Sequence, residues 1–274
     1  MKFLSLLTLS LLLAFSVNAQ EKSNEKYDVF LIVGQSNTLQ GCCIDPTKEV
    51  EDPKIKQVGR YDNDLQIIPA IEPLAHHATA PNRIGFAMTF ATLYKENLLA
   101  PDRKILLIPC GKGGTGFESK DWNPGDPLYE DAIKRTNYIL ENYPNATLKG
   151  ILWQQGEKDV NLKSKHYQEN LDTMIFHLRK DIKLASINTP FLMGGMVPYW
   201  VNQKDRRIEQ QKEIRLTSVR HPNVFYIDPM VPFVIKKKDD RDDEIHYDAK
   251  GQRELGRRYF DIYQTAKNKG QIKD

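Results

Sequence analysis

Residues 28–37 read DVFLIVGQSN, and the abrupt change within this stretch decides the fold. After Asp28 the run is apolar and rich in branched side chains, which predicts a short strand buried on both faces. The turn GQSN follows at once and places Ser36, with its hydroxyl and backbone N–H, at the end of that strand. Such a serine is either a nucleophile that needs a neighbouring base or the N-cap of a helix. Because position 38 is Thr, the turn is not a G-x-S-x-G elbow.

Four further apolar runs have the length of strands, at residues 104–109, 149–154, 190–196 and 223–227. Helical patterns occupy residues 129–142, 167–181, 206–219 and 249–266. Strands that alternate with helices of this length predict crossover connections and a mostly parallel sheet with helices on both faces. The carboxyl ends of the strands then share one edge of the sheet, where ligands bind in folds of this kind.

The region between the first two predicted strands shows a different pattern. Residues 40–82 lack strong periodicity and are predicted to form a long loop region, which is usually functional in a compact domain. No internal repeat or clear linker follows. Residues 20–274 are therefore predicted to form a single domain.

The amino-terminal segment has the features of an export signal. Lys2 is followed by an apolar stretch over residues 3–17, and Val17-Asn18-Ala19 offers small residues for cleavage. Residues 1–19 are therefore predicted to be a signal peptide cleaved near Ala19, with an uncleaved anchor as the alternative. The mature protein is expected to be periplasmic or secreted, without membrane association after cleavage.

Net charge and cysteine content indicate which partners are excluded and what role the cysteines have. The formal net charge of the 274 residues is +3, which is too small to suggest a nucleic-acid partner. The three cysteines leave one thiol over in an oxidising compartment. A bridge between the adjacent Cys42 and Cys43 has unfavourable geometry, and Cys110 reaches either only if two loops meet. A structural role is predicted for all three, with the pairing left open.

A glycine-rich segment, CGKGGTGF, covers residues 110–117 directly after the second predicted strand. Glycines allow backbone N–H groups to approach a ligand closely, as a tetrahedral oxyanion requires. The same segment matches the G-x-G-x-x-G pattern of dinucleotide binding. However, DWNPGDP at residues 121–127 cannot be the helix which that pattern must open. We therefore expect no organic cofactor.

Two more polar segments contain residues that could support nucleophilic catalysis by a serine. WQQGE at residues 153–157 ends the third predicted strand, and DEIH at residues 243–246 precedes the last helix. A carboxylate three residues before a histidine can fold back onto its ring and hold its tautomer. Glu157 is a second acid that could accept a bond from the histidine or from a substrate. No two histidines have metal-binding spacing, so no metal is expected.

Taken together, the segments resemble the SGNH/GDSL hydrolases: GQSN, a loop with GGT, W-x-QGE, and a late DxxH before GQRELGRR follow in that family's order. More narrowly, the chain resembles the sialate O-acetylesterase family, which includes carbohydrate esterases acting on acetylated xylan. Stretches at residues 52–57, 84–88 and 127–131 agree, and the resemblance covers about residues 27–265. It implies a three-layer αβα sandwich with a mainly parallel, flavodoxin-like sheet of five strands.

The resemblance also implies roles for individual residues. Ser36 is the expected nucleophile, and Asp243 and His246 complete the triad. The Ser36 N–H, Gly114 and Gln155 form the expected oxyanion hole. Residues expected to orient groups or bind substrate are Gln35, Asn37, Glu157 and Arg83.

The activity implied is removal of O-acetyl groups from a carbohydrate through an acetyl-enzyme, with sialate as the favoured sugar. Acetylated xylan, a non-catalytic sugar-binding role and an esterase for apolar acyl chains are the alternatives. Residues 38–41 read TLQG where many members have MAG after GQSN, which puts the substrate rather than the chemistry in question.

Overall fold

The centre of the sheet is strand β1, Tyr27–Gly34, and all eight of its residues are buried. It pairs in parallel with Lys104–Pro109 on one side and with Ala146–Gln154 on the other. A strand with neighbours on both edges and helices on both faces has no exposed side. The continuous apolar run in the sequence is the consequence.

The computed structural model describes residues 24–78, 81–236 and 243–273. The signal peptide predicted over residues 1–19 lies outside the described residues. The strands are β1 (Tyr27–Gly34), β2 (Gly41–Cys42), β3 (Ile55–Val58), β4 (Ile67–Pro69), β5 (Arg83–Ile84), β6 (Lys104–Pro109), β7 (Ala146–Gln154), β8 (Phe191–Gly194) and β9 (Val224–Ile227). The helices are α1 (Ala87–Asn97), α2 (Pro127–Asn142), α3 (Glu157–Asn161), α4 (Tyr167–Asp181), α5 (Pro198–Val201), α6 (Asp205–Arg220) and α7 (Ala249–Asn268).

The main sheet has seven strands in the order β4-β3-β6-β1-β7-β8-β9. Every neighbouring pair is parallel except β3 and β4. The five predicted strands correspond to β1, β6, β7, β8 and β9, and their spatial order is the flavodoxin-like one. The predicted mainly parallel fold is thus confirmed. The chain first crosses from β1 to β6 and then returns past β1 to β7, which creates a switch point at the carboxyl end of β1.

The prediction of a loop over residues 40–82 is wrong in part. β3 extends the sheet beyond β6, and β4 folds back against β3 at the sheet margin. β2 forms a separate antiparallel pair with β5. These strands have two to four residues each, and none of the three residues of β4 is buried. Segments of two to four residues are too short to show a periodic pattern.

Aromatic clusters fix the helices on the two faces of the sheet. On one face Phe30 of β1 packs against Phe90 and Tyr94 of α1, with ring centroids 4.9 Å apart in both pairs. Tyr263 of α7 joins this cluster at 5.8 Å from Phe30. A second cluster links β7 to the glycine-rich loop and α4, and it consists of Phe117, Trp122, Trp153 and Tyr167. Helices therefore cover both faces, as the three-layer prediction requires.

The cysteines differ from expectation. The structure joins Cys42 to Cys43 in a disulfide, the pairing that the sequence argument ranked as unfavourable. Cys110 is a buried free thiol after β6, and its Sγ lies 3.7 Å from Nη2 of Arg60. The odd cysteine is thus part of the core beside β6.

Candidate active site

The turn after β1 presents Ser36 at the switch point of the sheet. Gly34 has φ +125°, and a Cβ at this position would lie 2.2 Å from the carbonyl oxygen of Gln154. Only glycine allows the chain to turn so close to β7. Ser36 then begins a single 3-10 turn, in which Thr38 N–H and Oγ1 both donate to the Gln35 carbonyl. The turn holds Ser36 at the carboxyl edge of the sheet with 6% of its surface exposed.

The structure brings three of the predicted site residues into contact: Ser36, His246 and Asp243. Nε2 of His246 lies 2.8 Å from Oγ of Ser36, and Nδ1 of His246 lies 2.9 Å from the carboxylate of Asp243. The same carboxylate accepts the backbone N–H of His246 at 3.2 Å, so the loop closes on itself as the DxxH spacing predicts. In this arrangement Nδ1–H donates to Asp243, and the Nε2 lone pair faces the serine hydroxyl. The geometry suits proton transfer from Ser36 to His246.

The side-chain amide beside the serine belongs to Gln35. Its Nε2 lies 3.5 Å from Ser36 Oγ, while its Oε1 accepts from the backbone N–H of Lys158 at 3.0 Å. Those two contacts fix which end of the amide faces the hydroxyl. The predicted amide, Gln155, is also buried next to the site, but its Nε2 donates to Asp159 at 2.5 Å and contacts Gln35 Oε1 at 3.3 Å.

The predicted orientation of Gln155 therefore needs correction. Its amide protons are directed to Asp159, to Gln35 and to the Thr115 carbonyl rather than to Ser36. The cause is the Asp159 carboxylate, which lies one helical turn further on and attracts the amide. The amide that faces Ser36 Oγ is that of Gln35, and Gln155 contacts the other end of that amide.

The glycine-rich loop lies directly over Ser36. A Cβ on Gly113 would lie 3.7 Å from Cβ of Ser36, and Gly114, at φ +73°, faces open space. Asp159 fixes the loop by accepting the backbone N–H groups of Phe117 at 3.1 Å and Glu118 at 2.9 Å. Burial raises the pKa of the Asp159 carboxyl. The sequence argument missed Asp159, although its position two residues beyond the WQQGE segment was the available signal.

The two remaining polar residues of these segments contact each other. Asn37 Nδ2 donates to Glu157 Oε1 at 2.6 Å and to the Ile245 carbonyl at 3.1 Å. Glu157 thus bonds to Asn37, and the alternative in which it pairs with His246 is not what the structure shows. Burial raises the pKa of the Glu157 carboxyl to about 7.

Comparison with known proteins identifies the family to which this chain belongs. The family model described as carbohydrate esterase, sialic acid-specific acetylesterase, matches residues 26–265. The chain belongs to this family. A probable carbohydrate esterase of Arabidopsis thaliana, At4g34215, is 35% identical over 133 residues, which are 47% of this chain and 49% of the relative. The chain thus matches about half the length of that curated relative.

Solved structures show the same fold as this member of the carbohydrate esterase family. NanS superposes with a TM-score of 0.77 at 19% identity, covering 90% of this chain and 99% of that chain. The Arabidopsis thaliana protein superposes with a TM-score of 0.72 at 24% identity, covering 88% and 98%. A carbohydrate acetylesterase from Xanthomonas citri gives 0.59 at 15% identity, covering 88% and 56%.

Among two arginines and one tryptophan of this esterase that could contact a sugar, only one side chain is available to a ligand. Arg135 is buried and donates to Asp131, to Asp64 and to the Gly59 carbonyl. Trp122 is 1% exposed and donates to Thr115, so it belongs to the core. Arg83 in β5 remains at the surface, where Nη1 lies 3.4 Å from the Gln40 carbonyl.

Neither a metal cluster nor a membrane-spanning helix is present in the part of the chain that the structure describes. Within residues 24–78, 81–236 and 243–273, no group of three or more His, Cys, Asp or Glu side chains is arranged to hold a metal ion. In the same part of the chain, no helix combines the length and hydropathy of a membrane span.

Proposed function

We propose that this chain is a serine esterase that removes O-acetyl groups from a carbohydrate. The observation that carries the proposal is the unbroken contact from Asp243 through His246 to Ser36, at 2.9 and 2.8 Å. Membership of the carbohydrate esterase family supports the class of substrate. The arrangement has a nucleophile, a base and an acid that orients the base, which are the parts that acyl transfer requires.

The proposed reaction has two halves. His246 Nε2 takes the proton of Ser36 while the serine oxygen bonds to the acetyl carbonyl carbon. The tetrahedral intermediate collapses, the bond to the sugar oxygen breaks, and His246 returns its proton to that oxygen. Water then attacks the acetyl carbon and loses a proton to His246. As the bond to Ser36 Oγ breaks, His246 returns that proton to the serine oxygen, and the acetic acid that leaves ionises to acetate. Throughout, Asp243 stabilises the imidazolium by accepting the Nδ1 proton in a hydrogen bond.

The charge that develops on the carbonyl oxygen needs fixed donors. We assign this task to the Ser36 N–H, to Gln35 Nε2 and to the glycine-rich loop at Gly114. Gln35 is pre-oriented because its carbonyl end is held by the Lys158 N–H. Donors that are fixed before the reaction need no reorganisation when charge appears, which is why they lower the barrier.

The proposed substrate is an O-acetylated sialic acid. Sialic acid carries a carboxylate, which an arginine can bind in a bidentate manner. Arg83 is a suitable partner because it lies near the surface and bonds to a backbone carbonyl rather than to an acid. A neutral acetylated xylan would gain nothing from this charge.

Acetate release from O-acetylated sialic acid and from acetylated xylan, measured side by side, tests the substrate. We expect turnover of the sialic acid and a KM that rises about tenfold in Arg83→Ala, consistent with the loss of one charged hydrogen bond. Faster turnover of xylan than of the sialic acid, with no effect of Arg83→Ala on either substrate, would instead assign the enzyme to plant polysaccharide.

We further propose that the protein is exported and that residues 1–19 are removed. The positively charged start and the apolar segment ending in Val17-Asn18-Ala19 support this. Mass spectrometry of the protein recovered outside the cytoplasm is the test, with a new amino terminus at residue 20 as the expected result.

A further inference from the structure

The turn at residues 34–37, which carries Ser36, is called the nucleophile turn. The loop that carries His246 is attached to it through one side chain. Asn37 Oδ1 accepts the backbone N–H of Tyr247 at 3.0 Å, and Asn37 Nδ2 donates to the carbonyl of Ile245 at 3.1 Å. These two residues flank His246 on either side. One amide, attached to the residue after Ser36, therefore holds both main-chain neighbours of the base.

Asn37 is in turn held by a carboxyl group. Its Nδ2 donates to Oε1 of Glu157 at 2.6 Å, and both side chains are fully buried. Burying a carboxyl group costs free energy that one hydrogen bond only partly offsets, so a residue with no task would be better replaced by an apolar one. Glu157 begins α3, three residues beyond the end of β7, and β7 is the neighbour of β1 in the sheet. Its position is therefore fixed by the same sheet that positions Ser36.

The main chain of Asn37 is fixed as well. Its carbonyl accepts Nε2 of Gln252 in α7 at 3.1 Å. Tyr247, the residue after His246, is anchored separately, because its hydroxyl donates to the Gly195 carbonyl at 2.9 Å. Two neighbours of the base are thus tied to β1, β7 and β8 without either contacting the serine hydroxyl.

We propose that Asn37 and Glu157 form a positioning relay that sets the distance between His246 Nε2 and Ser36 Oγ. The inference rests on the proposed esterase function and adds a task for two residues outside the triad. Glu157 fixes the Asn37 amide, and the amide fixes Ile245 and Tyr247. Neither residue takes part in bond making or breaking. Loss of the relay lets the imidazole drift, and a displacement of about 1 Å is enough to cost ~10²-fold in rate.

The test uses four variants and one small acetyl ester. Glu157→Met removes the acceptor, and Glu157→Gln keeps a carbonyl oxygen for Asn37. Asn37→Ala and the double variant Asn37→Ala/Glu157→Met complete a cycle. A matched control is Glu72→Gln, because Glu72 is also a buried carboxyl that accepts two backbone N–H groups, those of Leu74 and Gly85. Thermal unfolding and circular dichroism establish that each variant is folded.

We expect kcat to fall ~10²-fold in Glu157→Met and in Asn37→Ala, with KM within about twofold of the wild type. Glu157→Gln should recover most of the kcat lost in Glu157→Met. The double variant should lose no more than Asn37→Ala alone, because residues that act through one another are not additive. Glu72→Gln should keep the wild-type kcat. If Glu157→Met does not fold, Asn37→Ala and Glu157→Gln carry the same comparison.

A second readout separates the relay from the esterase proposal itself. A fluorophosphonate that labels activated serines should modify Ser36 in the wild type and more slowly in Glu157→Met and Asn37→Ala. Failure to label the wild type would overturn the esterase proposal. Labelling and turnover at the wild-type rate in both variants would overturn the relay alone. A raised KM with unchanged kcat would also overturn it, because it would mean that these residues contact the substrate.

Discussion

The nucleophile turn and the histidine loop are held in place by different means. Ser36 follows a strand with partners on both edges, and it is 6% exposed. His246 lies in a short loop before α7, and the side chains of His246 and Asp243 are 23% and 29% exposed. The main chain of the sheet places the nucleophile, whereas side-chain hydrogen bonds place the base. Single substitutions should therefore disturb the base more readily than the serine.

The largest effect should come from removing the nucleophile itself. Ser36→Ala is expected to lower turnover of a small acetyl ester by ~10⁶-fold, because the acetyl-enzyme cannot form without the serine oxygen. Since the sheet positions this residue, the unfolding temperature should stay close to that of the wild type. Acetate release and thermal unfolding of the purified variant measure the two quantities. Substantial turnover by a folded Ser36→Ala protein would refute the assignment.

The next effect compares the two acids near the base. Asp243→Asn should lower kcat by up to ~10⁴-fold, because the variant cannot stabilise the imidazolium and favours the wrong tautomer. Glu157→Gln should lower it much less, since Glu157 bonds to Asn37 instead of to the imidazole. Both variants are assayed on one ester at one pH. A larger loss in Glu157→Gln would show that the activity of His246 depends on Glu157 more than on its contact with Asp243.

A smaller effect distinguishes the two glutamines on the nucleophile side. Gln35→Ala should cost ~10²-fold in kcat, which is typical of losing one oxyanion donor. Gln155→Ala should cost less, because its amide contacts Asp159 and supports Gln35 only indirectly. The ratio of the two kcat values decides the point. If Gln155→Ala is the more damaging change, the original assignment of Gln155 to the oxyanion hole is restored.

The smallest effect is on the free energy of unfolding. It arises from Glu157, which contacts Asn37 between the nucleophile turn and the histidine loop. Burial raises the pKa of Glu157 from 4.5 to about 7, so the folded protein holds a proton that the unfolded chain has released. Stability from this group is complete below about pH 4.5 and is lost as the pH rises to about 7. Relative to Glu157→Gln, the wild type should lose up to about 3 kcal/mol across this window. Urea unfolding of both proteins at several pH values measures the difference; a constant difference would mean that the carboxyl does not titrate there.

Sequence patterns were sufficient for the centre of the fold. The apolar runs at β1, β6 and β7 are unambiguous because a strand buried on both faces leaves no room for polar residues. Helix α1 was missed, because its N-cap residue, Phe86, makes no side-chain hydrogen bond that would mark where the helix begins. β3 and β4 were missed because short strands at a sheet margin resemble loops.

The site was predictable to the level of residue type and spacing, and less so to the level of orientation. Asp243 and His246 are three residues apart, so their contact depends only on local geometry. Whether Gln35 or Gln155 faces the serine depends on Asp159 and on the packing of β7 against β1. A sequence motif does not show which of several acceptors, distant in the chain, a side-chain amide will bond to in the folded protein.

The contact between Ser36 and His246 joins residues 210 positions apart in the chain. Its geometry also requires β7, which begins at Ala146, and α7, which begins at Ala249. A chain that has emerged only in part can build β1 and the nucleophile turn, but it has no base. Contacts of such long range form late in folding, because loop closure must come before they stabilise anything. During refolding, esterase activity should therefore appear after most of the secondary structure has formed, and an incomplete chain should be catalytically silent.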